Sequence, residues 1–211
     1  MTLLGLFLHC LDADYLRSGS EDGNYAIEKN KNTLYLLFQW SNGRRDWYNN
    51  LDFPVKPYRR MDSLWLCHRG FLRVWKSMRD EIEAKVSARL AGDATINRIV
   101  CVGFSHGAAL ALFATEDMSF LYGNKLSIQG VGFGCPRVLW GFIPGVVLER
   151  LRMFLVVRNG PDIVTHVPPA SMGYRHIGSI LNIGSGKSLT PVRAHYPKAY
   201  IDSLSAMKVD I

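Results

Sequence analysis

The pentapeptide Gly103-Phe104-Ser105-His106-Gly107 sets a serine between two glycines. The continuous apolar run Arg98-Ile-Val-Cys-Val-Gly103 precedes it, and the small residues Ala108, Ala109 and Ala111 follow. A buried strand that turns sharply into a helix holds such a hydroxyl above the sheet edge. Glycines on both sides keep side chains from colliding with the neighbouring strand and helix. The helix N-terminus then offers backbone N–H groups and a positive dipole end to a developing oxyanion. The chemistry this allows is nucleophilic attack by Ser105 on an ester carbonyl. The bland alternative is a serine that only caps a helix, and the flanking strand and helix weigh against it.

A serine nucleophile needs a base that is itself held by an acid, and in this arrangement both partners follow the serine along the chain. Asp162, in Arg158-Asn-Gly-Pro-Asp162, comes in a loop just past a predicted strand, where the acid belongs. Asp117 and Asp202 compete with it but read as solvated helix residues. Of the six histidines, His9 and His68 precede the serine, and His106 adjoins it but faces away from its hydroxyl. His166, His176 and His195 remain. His195 lies in the loop Pro191-Val-Arg-Ala-His195-Tyr-Pro197 before the last helix and is favoured, with His176 as the alternative.

The elements that must position these groups are legible in outline. Residues Tyr25–Lys29 and Thr33–Gln39 read as strands joined by a tight Asn-Lys-Asn turn. Phe71, Val74, Trp75, Met78, Ile82, Val86 and Leu90 recur at helical spacing, closed by Gly92. Residues 98–103 form a strand buried on both faces, and a helix covers Ala108 to about Ala114. Further strands are predicted at Ile128–Gly134, Met153–Val157 and Tyr174–Ile183. An interrupted helical piece lies near Val138–Arg152, and a C-terminal helix starts near Lys198. This alternation predicts an α/β fold with a mostly parallel sheet, helices on both faces and an antiparallel N-terminal edge. With 211 residues, 48% of them apolar, and no linker or repeat, residues 1–211 are expected to form a single domain.

Composition narrows the function classes. The net charge is +7, but Lys and Arg are scattered and no zinc-finger or basic-zipper spacing occurs, so nucleic acid is not an expected partner. Cys10, Cys67, Cys101 and Cys135 form no C-x-x-C pair, and neither a metal nor an organic cofactor is expected. Leu4, Phe7, Leu8, Leu11 and Tyr15 read as an amphipathic helix packed on the domain rather than a secretion signal. On that reading a cytoplasmic location is favoured.

Six segments in order resemble the class 3 lipases, the group of fungal triacylglycerol lipases and their bacterial and plant relatives. Beyond the elbow around Ser105, they are Phe38-Gln-Trp-Ser41…Trp47, His68-Arg-Gly-Phe71, Gly132-Phe-Gly-Cys-Pro-Arg137, Asn159-Gly-Pro-Asp162-Ile-Val-Thr-His-Val-Pro-Pro169, Gly173-Tyr-Arg-His176 and His195-x-x-x-x-Tyr200. The resemblance implies an α/β-hydrolase fold and a triad of Ser105, Asp162 and His195, with His176 and His68 in structural roles. It also implies an oxyanion hole from the backbone N–H groups of Ser41 and His106. The family's lid position falls on Gly43–Leu51, which reads equally as a lid, with Trp40, Trp47, Tyr48 and Leu51 as lid or substrate contacts, or as a fixed loop whose Trp47 fills the core. Two positions depart from the family pattern. Gln39-Trp40 replaces Arg-Gly, and His106 replaces Leu; either change would narrow the acyl pocket and tells against long chains. The expected partner is a lipid or other small-molecule ester, with transient contact to a lipid surface. The competing readings are a non-catalytic lipid-binding protein on the same fold, or a thioesterase or acyltransferase using the same triad.

Overall fold

A computed structural model of the chain describes residues 1–18, 23–40, 53–60, 62–184 and 190–207. The described elements, in order, are α1 (Leu3–Asp12), β1 (Leu16–Ser18), β2 (Gly23–Asn30), β3 (Thr33–Phe38), β4 (Val55–Arg60), β5 (Ser63–His68), α2 (Arg69–Gly92), β6 (Arg98–Phe104), α3 (His106–Tyr122), β7 (Ser127–Phe133), β8 (Leu139–Trp140), α4 (Gly145–Arg150), β9 (Phe154–Asn159), β10 (Tyr174–Arg175), β11 (Ser179–Ile183) and α5 (Pro197–Ser205). Three short 3₁₀ turns lie at Ile163–His166, Ala170–Met172 and Arg193–His195.

The main sheet has the order β1-β2-β3-β6-β7-β9-β11. Strands β3, β6, β7, β9 and β11 run parallel, and β1 and β2 form the antiparallel N-terminal edge. Its central strands are apolar throughout, as a sheet covered on both faces requires: β3 is buried along its whole length, and β6 from Ile99 onward. Helices α2 and α3 pack one face and α1 and α5 the other, giving two hydrophobic clusters.

Helix α1 is where the expected apolar stripe moves. Leu3, Leu6, Phe7 and Cys10 are buried, whereas Leu8 is exposed. A segment apolar on almost every side carries several overlapping stripes, and docking selects one. Here the selection is made by Phe7, whose ring lies 4.7 Å from that of Phe133, 5.4 Å from Phe104 and 5.5 Å from Tyr200.

A second, four-stranded antiparallel sheet of order β10-β8-β5-β4 was not foreseen. It replaces part of the helical piece expected near Val138–Arg152 and splits the strand expected over Tyr174–Ile183 into β10 and β11. Helix α3 also runs past its expected end at Ala114, and Asp117 is fully buried rather than solvated. The reason is tertiary. Tyr58 Oη donates to both carboxylate oxygens of Asp117 at 2.7 and 2.6 Å, Trp75 Nε1 donates at 3.1 Å, and Arg60 Nε lies 3.4 Å away. Next to it, Glu116 accepts from Arg150 at 2.9 Å, and burial beside Asp117 raises its pKa. Among the described residues, no helix is long and apolar enough to cross a membrane.

Candidate active site

Strand β6 ends at Phe104 and α3 begins at His106, so Ser105 alone makes the turn, with φ 57° and ψ −122°. A side-chain-bearing residue held there stores on the order of 1–3 kcal/mol of strain and persists only where its surroundings over-determine it. They do so through Ser105 N–H donating to Phe133 O at 2.9 Å and Ala108 N–H donating to Ser105 O at 3.0 Å. The flanking glycines are obligatory. A Cβ on Gly103 would lie 2.1 Å from Gly107 O, and one on Gly107 would lie 2.2 Å from Phe38 O.

Asp162 sits in the loop between β9 and the turn Ile163–His166, fully buried. Its Oδ1 accepts the backbone N–H of Val164 at 2.9 Å, two residues on, a local bond that fixes the carboxylate's orientation. Its Oδ2 lies 2.9 Å from His195 Nδ1, and His195 Nε2 lies 2.8 Å from Ser105 Oγ. With the ring proton on Nδ1 facing the carboxylate, Nε2 is free to accept from the serine hydroxyl. His195 occupies the 3₁₀ turn Arg193–His195 just ahead of α5, and is 8% exposed. The structure thus brings together Ser105, His195 and Asp162 from three separate segments.

The other histidines do not join them. His176 Nε2 donates to Thr165 O at 2.8 Å, and burial pushes its pKa down to about 4, with Arg158, Arg137 and His166 acting in the same direction. His68 caps α2, its Nδ1 accepting from Phe71 N–H at 3.4 Å. His166 Nδ1 donates to Asp162 O at 2.9 Å, and His9 Nε2 lies 2.7 Å from Glu28. His106 opens α3 with its ring 5.3 Å from that of Phe71. Trp40 packs 5.8 Å from Phe104. Ser41, Trp47, Tyr48 and Leu51 lie outside the described residues.

Three contacts have no counterpart in the sequence reading. Tyr200 Oη donates to Asp162 Oδ2 at 2.6 Å. The Phe104 ring stacks on His195 at 4.9 Å and 22°. Gly134, with φ +57°, lets the chain pass close to the site: a Cβ there would lie 2.9 Å from His195 Cε1 and 3.0 Å from Asp162 Oδ2. Tyr200 was visible as a late tyrosine after His195, but nothing in a one-dimensional pattern told which carboxylate it serves. All four cysteines are free and buried. Burial pushes the Cys10 and Cys101 thiols up to about 12, away from thiolate chemistry.

The family model described as Lipase (class 3) matches residues 35–172. Secreted mono- and diacylglycerol lipase 1 of Fusarium solani is 30% identical over 151 residues, covering 72% of this chain and 44% of that protein. The lipase of Rhizopus niveus is 30% identical over 174 residues, covering 80% of this chain and 43% of its own length. The chain therefore spans less than half of these curated relatives. Among solved structures, a triacylglycerol lipase whose catalytic centre is described as a serine protease triad superposes with TM-score 0.69 at 25% identity, over 81% of this chain and 64% of that one. The triacylglyceride lipase of Rhizomucor miehei does so with TM-score 0.70 at 23% identity, over 83% and 66%; it shares the α/β-hydrolase fold.

The expected cytoplasmic location is corrected by these relatives. Those of Fusarium solani and Malassezia globosa are named as secreted lipases, which points to the extracellular side. The earlier reading rested on the N-terminal segment, and that segment is helix α1, a packed part of the fold that carries no information on targeting.

Proposed function

Because the chain belongs to the class 3 lipase family, we propose that residues 1–211 form a single domain that hydrolyses carboxylic esters of lipids, with Ser105, His195 and Asp162 as its catalytic triad. One observation carries this reading. Ser105 Oγ, His195 and Asp162 Oδ2 form an unbroken hydrogen-bonded chain with links of 2.8 and 2.9 Å. A serine on a strained elbow, a base within reach of it and a buried acid holding that base are the parts that acyl transfer needs.

The reaction runs in two halves. Ser105 Oγ attacks the ester carbonyl carbon while its proton passes to His195 Nε2, and the carbonyl electron pair moves onto oxygen. Asp162 holds the Nδ1–H tautomer and stabilises the imidazolium. The oxyanion sits at the N-terminus of α3, facing the backbone N–H of His106, with Ser41 as the second donor. Losing one such donor commonly costs about 10²–10³ in rate. The intermediate collapses, His195 gives its proton to the departing alcohol, and an acyl-serine remains. Water repeats the sequence, with His195 as base, and releases the carboxylic acid.

The substrate is a lipid ester. Trp40 and His106 support an acyl site narrower than the family pattern, with Trp47, Tyr48 and Leu51 as further substrate contacts. A fluorophosphonate probe tests the nucleophile: the chain is expected to label, and Ser105→Ala to abolish labelling. A wild-type chain that folds but does not label defeats the enzymatic reading in favour of a non-catalytic lipid binder. Hydrolysis rates across oxygen esters and thioesters of rising chain length then separate an esterase from a thioesterase.

A further inference from the structure

Phe104 comes just before the nucleophile, and its place in β6 decides where its ring goes. Side chains alternate across a strand, so Val100, Val102 and Phe104 share the face covered by α1 and α5, while Ile99 and Cys101 share the other. His195 reaches the site in the turn just ahead of α5. The two rings meet nearly parallel, with centroids 4.9 Å apart and planes 22° apart.

Neither ring has room to turn away. Phe104 is 1% exposed. Phe7 packs on it at 5.4 Å and 82°, Tyr200 at 5.5 Å and 66°, and Trp40 at 5.8 Å and 59°. Swinging the Phe104 ring aside would displace α1 or α5. The chain just past β7 confines the imidazole as well, since a Cβ on Gly134 would lie 2.9 Å from His195 Cε1. One strand end thus carries the nucleophile on Ser105 and, one residue earlier, the ring against which the base lies.

This contact changes in strength as the proposed reaction proceeds. At rest the imidazole is neutral, and the stack is an ordinary aromatic pair. When Nε2 takes the serine proton, the ring becomes a cation. Asp162 meets that cation through Nδ1, in the ring plane. Phe104 meets its π face. The face of a phenyl ring is electron-rich and attracts a cation, the more so where water is excluded. An attraction that grows with charge on the base lowers the barrier rather than the ground state.

We infer that Phe104 is a positioning residue for the proposed reaction: its ring face fixes the plane of His195 and favours the imidazolium formed in both acyl transfers. A core-filling role needs apolar volume alone, whereas a stack on the base needs the ring. The inference rests on the proposed triad and adds a residue that acts through its base.

The test separates ring shape from ring charge. Mono-, tri- and pentafluorophenylalanine at position 104 keep the shape and progressively drain the negative face. With a water-soluble short-chain ester, kcat should fall stepwise along this series, to about one tenth with five fluorines, while KM and the thermal melt hold. Phe104→Leu removes the face and part of the packing, so it should lose about fivefold in kcat and also melt earlier. A kcat that stays level along the fluorine series overturns the inference, and so does a rise in KM in place of the fall in kcat. A folded, unaltered chain that neither hydrolyses the ester nor takes up a fluorophosphonate defeats the proposed triad, and this inference with it. An active unaltered chain with a level fluorine series defeats the role of Phe104 alone.

Discussion

Replacing Tyr200 by Phe removes one oxygen from the network around Asp162 and leaves the ring in place. The ring itself is firmly packed: it is fully buried, 5.5 Å from Phe7 and 5.5 Å from Phe104. Two hydrogen bonds go with the oxygen. Tyr200 Oη donates to Asp162 Oδ2 at 2.6 Å and accepts Asn159 N–H at 3.2 Å. A hydrogen bond to a charged group contributes about 1.5–3 kcal/mol, and a buried N–H left unsatisfied costs about 1–3 kcal/mol. Asp162 keeps Val164 N–H and His195 Nδ1–H, so the carboxylate is weakened in its setting rather than orphaned. The expected loss of stability is about 2–4 kcal/mol, which lowers Tm by roughly 4–16 °C in a chain of this size. The Asp162–His195 link survives, so kcat should fall only about tenfold with KM little changed, equivalent to about 1.4 kcal/mol. Asp162→Asn should be far worse, about 10⁴-fold in kcat, because the imidazole then adopts the wrong tautomer. The assay is steady-state hydrolysis of a soluble ester beside a thermal melt of each variant. A Tyr200→Phe chain with unchanged Tm and kcat would refute the reasoning, since the bonds at 2.6 and 3.2 Å would then contribute nothing. A kcat as low as that of Asp162→Asn would refute it from the other side.

Three further outcomes are expected. His176 has its pKa lowered from 6.5 to about 4 in the folded chain, so the unfolded chain binds more protons between those values. Its contribution to stability is fully present above pH 6.5 and lost as pH falls toward 4, a loss of about 3 kcal/mol across the window. Urea melts at several pH values should show this slope reduced in His176→Gln, and an identical slope in both chains would count against the half-buried neutral imidazole. Asp117→Ala leaves Tyr58, Trp75 and Arg60 without their shared acceptor and should cost about 3–5 kcal/mol. It lies about 16 Å along α3 from His106 at 1.5 Å per residue, so kcat per folded molecule should hold, and a selective loss of kcat would contradict the placement. Gly107→Ala drives a Cβ to 2.2 Å from Phe38 O, and soluble expression with normal circular dichroism would show that the elbow is looser than drawn.

Much of the site was legible because its parts are encoded locally. A β-branched apolar run, a glycine-flanked serine and a run of small residues are neighbours in the chain, and each obeys the backbone rule for its own position. The spacing of Phe71, Val74, Trp75, Met78, Ile82 and Val86 read correctly as α2, all six of them buried. The second sheet was not legible, for two physical reasons. Strands β8 and β10 are each two residues long, too short for a period-two pattern to register. Strand β4 contains Pro57 and three basic residues, which reads as loop, yet it forms the sheet's edge, where a missing N–H is tolerated. The end of α3 was misjudged because Thr115, Glu116 and Asp117 look solvated in one dimension. Thr115 bonds back to Ala111 O within the helix, whereas the partners of Glu116 and Asp117, namely Arg150, Tyr58 and Trp75, come from distant segments.

What the sequence determined by itself is the elbow at Ser105 and the alternation of strands and helices beneath it, since both depend on residues within a few positions of one another. The choice of base was open between His195 and His176 on the residues alone. Packing alone separates them, setting His195 within 2.8 Å of the serine and turning His176 to a backbone carbonyl. The same holds for Tyr200 on Asp162 and the buried acids of α3. Each is a contact between segments far apart in the chain, and one-dimensional spacing carries no record of which segments meet.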